Sequence, residues 1–155
     1  MIRPATIDDA PAAARVAVAA GLFTAEESGF LPGLFADVLS EPRDGAHGLV
    51  VEEVEGQTVG VAYWHPVDAA DRVVDLTMIA VDPMCQGRGV GRALMRHAED
   101  RARSAGQRLM VVLTSATDQY AGTRRFYAAL GYEAEARVRD YWADGDDMVL
   151  FRLVL

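Results

Sequence analysis

The stretch Asp82-Pro83-Met84-Cys85-Gln86-Gly87-Arg88-Gly89-Val90-Gly91-Arg92-Ala93-Leu94 concentrates residue types that hold an anion. It follows an apolar run, Leu76 to Val81, and precedes a helical pattern reaching about Ser104. A strand therefore enters a glycine-rich turn that opens directly into a helix. Glycines let backbone N–H groups converge, and a helix N-terminus adds partial positive charge, so the turn reads as a phosphate-binding site. Two common versions of such a turn fail on specific residues. A dinucleotide fold wants G-x-G-x-x-G, and Arg92 stands where its third glycine belongs. A Walker loop needs G-x-x-x-x-G-K-[ST], and the chain has no lysine: all 15 basic residues are arginine. The same absence excludes a Schiff-base lysine and pyridoxal-phosphate attachment. Cys85 lies beside the turn without a defined His or acid partner, which argues against a thiol nucleophile. His97 falls on the inward face of its helix as a packed residue, and His65 ends a strand with no visible partner.

The elements that must position this turn follow from periodicity. Ile2–Pro4 reads as a short strand, and Thr6 with Asp9 as a capping box opening a helix over Ala10–Ala20, stopped by Gly21. Thr24 with Glu27 repeats the signature ahead of a second helix between Ala25 and Leu39, interrupted around Gly29 and Pro32-Gly33. Gly48–Val54 and Thr58–His65 form a hairpin about Glu55-Gly56-Gln57. The next strand, about Arg72–Asp82, is nearly continuous in apolar residues, as a strand buried on both faces should be; alternation puts its polar members Asp75 and Thr77 on one face. After the turn, Val90, Ala93, Leu94, His97, Ala98 and Ala102 fall at helical spacing. Leu109–Leu113 is another strand, so strand, helix and strand make a parallel βαβ unit. A further helix spans about Gln119–Leu130 with Phe126, Ala129 and Leu130 inward, and strands over about Tyr132–Trp142 and Asp147–Val154 close the chain.

The totals bound the class. At 155 residues, 51% hydrophobic and with a mean hydropathy of +0.06, the chain reads as one folded domain, residues 1–155. One cysteine allows neither an internal disulfide nor a cysteine-rich zinc site. A net charge of −8 argues against nucleic-acid binding and favours cationic partners such as protonated amines. No apolar run is long enough to span a bilayer and no signal-peptide layout opens the chain, so a cytoplasmic protein without a membrane partner is expected.

Gln86-Gly87-Arg88-Gly89-Val90-Gly91 matches Q/R-x-x-G-x-G/A, and here the chain resembles the GNAT superfamily of N-acetyltransferases. The resemblance runs back through Leu76–Val81-Asp82-Pro83, on through Ala93-Leu94-Met95, and resumes at Arg125-Phe126-Tyr127-Ala128-Ala129-Leu130-Gly131-Tyr132. Arg139-Asp140-Tyr141 and Gly145-Asp146-Asp147 also recur in some members. It implies an α/β, single-domain GNAT-like fold: a mixed, mostly antiparallel sheet with a central parallel βαβ acyl-CoA-binding unit and flanking helices. It also implies acetyl-CoA as co-substrate, without a metal, and transfer of its acetyl group by direct attack of an amine. On that resemblance the pyrophosphate of coenzyme A sits on Gln86, Gly87, Arg88, Gly89, Val90, Gly91 and Arg92. The pantetheine arm lies along Ile79–Val81, with a backbone N–H near Ala80 on the thioester carbonyl. Tyr127 matches the tyrosine often placed near the coenzyme A sulfur, where a phenol could protonate the leaving thiolate. Asp75 precedes Gln86 by the spacing of a catalytic glutamate in histone-acetyltransferase members, which makes it the candidate base. Where many members carry Asn before the last helix, three residues ahead of an Ala, this chain has Tyr120 and Thr123, so that Asn contact does not carry over.

Glu26 and Glu27, in a segment that reads either as a packed helix or as a lid, are the candidates for holding an acceptor ammonium. The acceptor stays open among small-molecule amines and peptide or protein amines, and so does the oligomeric state, a homodimer included. A non-catalytic acyl-CoA-binding or sensing domain of the same fold is the first rival reading, and an unrelated nucleotide-binding or interaction module the second.

Overall fold

The computed structural model describes residues 1–40 and 45–155. Among the described residues seven strands and four helices follow in the order β1 (Ile2–Pro4), α1 (Ala10–Ala19), α2 (Leu31–Ser40), β2 (Gly48–Val54), β3 (Gln57–Pro66), β4 (Val73–Val81), α3 (Val90–Ser104), β5 (Leu109–Ser115), α4 (Ala121–Ala129), β6 (Glu133–Ala143) and β7 (Asp146–Val154). They form one sheet in the order β1-β2-β3-β4-β5-β7-β6, antiparallel except for β4 beside β5. The mixed sheet and its central parallel pair are as expected.

Each face of the sheet has its own core. Val16, Leu31 and Phe35 of α1 and α2 pack with Val51, Val61 and Met78, while Leu94, Met95 and Ala98 of α3 pack with Trp64, Leu76 and Met110. Each large side chain buried this way stabilises the fold by about 1.5–3 kcal/mol. Gly60 sets how closely α3 approaches: a Cβ there would lie 2.8 Å from the Leu94 side chain. On α3 itself the inward stripe keeps Leu94, Ala98 and Ala102 as expected, but Met95 is buried in place of Ala93, which is exposed. Pro32 and Gly33 do not interrupt α2. They occupy its first turn, where proline's missing N–H costs nothing, after a short 3₁₀ turn at Glu27–Phe30. Among the described residues no helix is long and apolar enough to cross a membrane.

The start of α1 is tied to the sheet by charge. Arg3 holds Asp9 through two bonds of 2.8 Å, and Asp9 also accepts the Thr6 N–H at 2.7 Å. Asp9 is 7% exposed, and the Arg3 guanidinium, with the Thr6 bonds, overcomes burial and lowers its carboxyl to about 2. Because the folded value lies below the unfolded one of about 3.9, this contribution of roughly 2 kcal/mol is present above pH 4 and lost between about pH 4 and pH 2. Urea unfolding across that window should show a falling stability, and Asp9→Asn should flatten the slope while lowering stability at pH 7.

Candidate active site

β4 and β5 pair only through Val73–Leu109, Val74–Met110 and Asp75–Val111. Beyond that point they separate, and the gap between them is a cleft of about 700 Å³. A bulge accompanies the separation. Trp64 of β3 pairs with Leu76 and Tyr63 with Met78, leaving Thr77 without a partner. A bulge bends its strand and breaks the two-residue period. Val74 and Leu76 accordingly belong to the core under α3, while Met78 and Ala80 belong to the core under α1 and α2. Strict alternation across Asp75 and Thr77 therefore fails: Thr77 lines the cleft and Asp75 does not.

Past the bulge, Ile79, Ala80 and Val81 form one wall, with no β5 residue paired to them. The glycine turn closes the end. Asp82 caps the first part of it, accepting the Met84 N–H at 3.0 Å and meeting Arg15 at 3.4 Å. The Gln86 side chain donates back to the Val81 carbonyl at 3.0 Å. The turn then passes through Gly87 and Gly89, whose φ values of +72° and +88° are strained for any residue with a Cβ. Gly89 is the N-cap of α3, so no side chain caps the helix, and its first turn carries no acidic residue. The first N–H groups of α3 are thus left for an external acceptor. Gly87, Gly89, Gly91 and Arg92 line the cleft here; Val90 packs towards the α3 core, and Arg88 is exposed outside the lining.

Tyr127 of α4 forms part of the opposite wall. Sequence periodicity placed it off the inward stripe, but it is 3% exposed while Ala129 is exposed. The reason is tertiary: its ring sits among Phe126, Phe151 and Tyr132, with centroids 5.4, 5.5 and 5.8 Å away. Burial, and then the nearby Asp75 carboxylate, push its phenol above the ordinary tyrosine range, so it stays protonated. Its hydroxyl has no hydrogen-bond partner among the described residues. Asp75 is raised too, mainly by burial against the opposing effect of His65, and its Oδ1 is buried without a partner. Glu26 and Glu27 are not brought to the cleft: both are exposed, and Glu27 caps its own turn by accepting the Thr24 N–H at 2.8 Å. Cys85 is half-buried, and His97 packs edge-on against Trp64. No His, Cys, Asp and Glu group among the described residues could hold a metal ion.

The family model for the acetyltransferase (GNAT) family matches residues 17–132. The chain belongs to the GNAT family. The chain is also 33% identical to a GNAT-family structure from Desulfovibrio desulfuricans, with a TM-score of 0.91 over 99% of this chain and 98% of that one. A Salmonella typhimurium structure holding acetyl-CoA superposes at a TM-score of 0.81, with 24% identity, over 100% and 93% of the two chains. Among curated proteins it is similar to an uncharacterised N-acetyltransferase of Methanocaldococcus jannaschii, 31% identical over 98 residues. That match covers 61% of this chain and 42% of the other protein's length.

Several cleft residues of this GNAT chain escaped the sequence reading. Ala20, Gly21 and Leu22 at the end of α1, Thr114 of β5, and Tyr120 and Thr123 near the start of α4 all line it. Gly21 was legible as a helix stop, but nothing local brings it to a turn more than sixty residues on. Tyr120 and Thr123 were legible only as departures from a family position, and they face the same cleft as the glycine turn.

Proposed function

We propose that this GNAT chain, residues 1–155 acting as one domain, moves an acetyl group from acetyl-CoA to an acceptor amine by direct attack. One feature supports the reading above all: a cleft that opens between β4 and β5, with the uncapped N-terminus of α3 at one end and a buried, protonated tyrosine in its wall. Acetyl-CoA in the Salmonella typhimurium structure of the same fold supports that co-substrate.

The pyrophosphate takes the N–H groups of the turn between Gln86 and Arg92, where Gly87, Gly89 and Gly91 let it approach, and Arg88 and Arg92 add charge. The pantetheine arm pairs with the open edge of Ile79–Val81 as an added strand would, and a backbone N–H near Ala80 polarises the thioester carbonyl. The amine nitrogen attacks that carbon, the C–S bond breaks, and Tyr127 delivers its proton to the thiolate. Asp75, directly or through water, is the carboxylate on the amine side. The acceptor is a small-molecule, peptide or protein amine, and the acidic chain suits its cationic form.

Acetyl-CoA at about 100 times its dissociation constant should stabilise the chain by roughly 2.7 kcal/mol, read as a melting shift. Absence of any shift with acetyl-CoA or free coenzyme A overturns the binding half of the reading. Release of coenzyme A across a panel of small amines, amino-terminal peptides and lysine peptides tests the other half. A chain that binds acetyl-CoA and acetylates nothing in that panel is an acyl-CoA-binding domain.

A further inference from the structure

We propose that His65 is the base that takes the acceptor's proton, with Asp75 beside it holding the ammonium group. This rests on the amine-transfer reading above and assigns a residue that the sequence left without a partner. The register supplies that partner: His65 of β3 stands directly opposite Asp75 of β4. Directly opposed residues in an antiparallel pair share a face, with Cβ atoms about 5 Å apart.

The ring is held in one useful state. His65 Nδ1 lies 2.8 Å from the Pro66 carbonyl oxygen. A carbonyl only accepts, so Nδ1 carries the hydrogen of the neutral ring, and the lone pair is on Nε2. Asp75 presents a buried Oδ1 with no hydrogen-bond partner among the described residues, a costly arrangement that a bound ammonium relieves. His65 favours the ionised form of Asp75, and the Asp75 carboxylate in turn opposes ionisation of Tyr127 in the cleft wall. Tyr63 of the same strand and His47 ahead of β2 complete the surroundings, with ring centroids 5.5 and 6.5 Å from that of His65, and His47 Nε2 lies 3.2 Å from the Tyr63 hydroxyl.

The step balances. The ammonium gives one proton to His65 Nε2, and the freed nitrogen forms the C–N bond. The C–S bond breaks, and the thiolate takes the Tyr127 proton. The surplus proton on the new amide nitrogen restores the phenol, and the imidazolium releases its proton to water, one per acetyl moved.

The test uses the full chain and a series of simple primary amines of falling basicity: n-butylamine, 2-methoxyethylamine and 2,2,2-trifluoroethylamine. A base is needed for an ammonium and not for an amine already neutral at the assay pH. His65→Gln should lower kcat/KM about 100-fold for n-butylamine and only a few-fold for trifluoroethylamine. Asp75→Asn should raise the KM for n-butylamine more than it lowers kcat. An unchanged acetyl-CoA melting shift certifies both variants as folded. Long-range ¹H–¹⁵N spectra, with the signal assigned through His65→Gln, should show His65 as the Nδ1–H tautomer. An Nε2–H tautomer, or the same loss for every amine, overturns the proposal. Turnover by the wild-type chain with His65→Gln equally fast overturns the proposal alone. No turnover of any amine by a wild-type chain that still binds acetyl-CoA overturns the amine-transfer reading, and the proposal with it.

Discussion

Tyr127→Phe should slow acetyl transfer by about 100-fold or more, while the melting shift on acetyl-CoA stays within error of the wild type. The variant removes one oxygen and nothing else. The ring keeps its contacts with Phe126, Phe151 and Tyr132, so the α3–α4 core is unaltered. The hydroxyl has no hydrogen bond to lose among the described residues, and the stability of the free chain should not fall. Its environment suits an acid that must still be protonated when the thiolate forms, since burial and Asp75 both oppose ionisation. The split between turnover and affinity is the diagnostic, because loss of a proton donor acts on the transition state and leaves ground-state binding alone. Steady-state coenzyme A release with the best acceptor of the panel, run beside a thermal melt, measures both. Equal turnover in the two proteins assigns the proton to another donor, water included.

Gly89→Asp should remove most of the acetyl-CoA melting shift and leave a folded chain. A Cβ at Gly89 meets nothing within 4 Å, so the substitution does not clash. The φ of +88° costs an L-residue about 1–2 kcal/mol. Aspartate partly offsets that cost by capping α3, because it is among the favoured N-cap residues. That same cap is what defeats the ligand: the carboxylate takes the N–H groups the pyrophosphate needs and adds a like charge beside it. A 100-fold rise in the dissociation constant reduces a shift of about 2.7 kcal/mol to about 0.4 kcal/mol. Gly89→Ala carries the backbone strain without the charge, and it should keep most of the shift. If both variants lose it equally, backbone conformation and not the anion site is responsible; if Gly89→Asp keeps it, the pyrophosphate lies elsewhere.

Tyr127 and Gly89 both stand out in the amino-acid sequence alone. The glycine turn was legible because every part of it is local: the apolar run ahead, three glycines, and a helix pattern behind. The two capping boxes were legible for the same reason, and both form. The inward face of α4 was not. Phe126, Ala129 and Leu130 make the more obvious apolar stripe, whereas Tyr127 is drawn inward by Phe151, which lies 24 positions further on and is brought there by β7.

The sequence by itself determined the α/β class, the strand–turn–helix that ends the cleft, and the family to which the chain belongs. These depend on short-range periodicity and on glycine's access to positive φ, which act within a few residues of one another. The tertiary structure alone decided that β4 carries a bulge at Thr77, that β5 parts from β4 beyond Asp75, and that His65 and Asp75 stand opposite each other. A bulge, a separation and a cross-strand pair are properties of register between strands, and register is set by the packing of whole faces against α1, α2, α3 and α4 rather than by any one strand's composition.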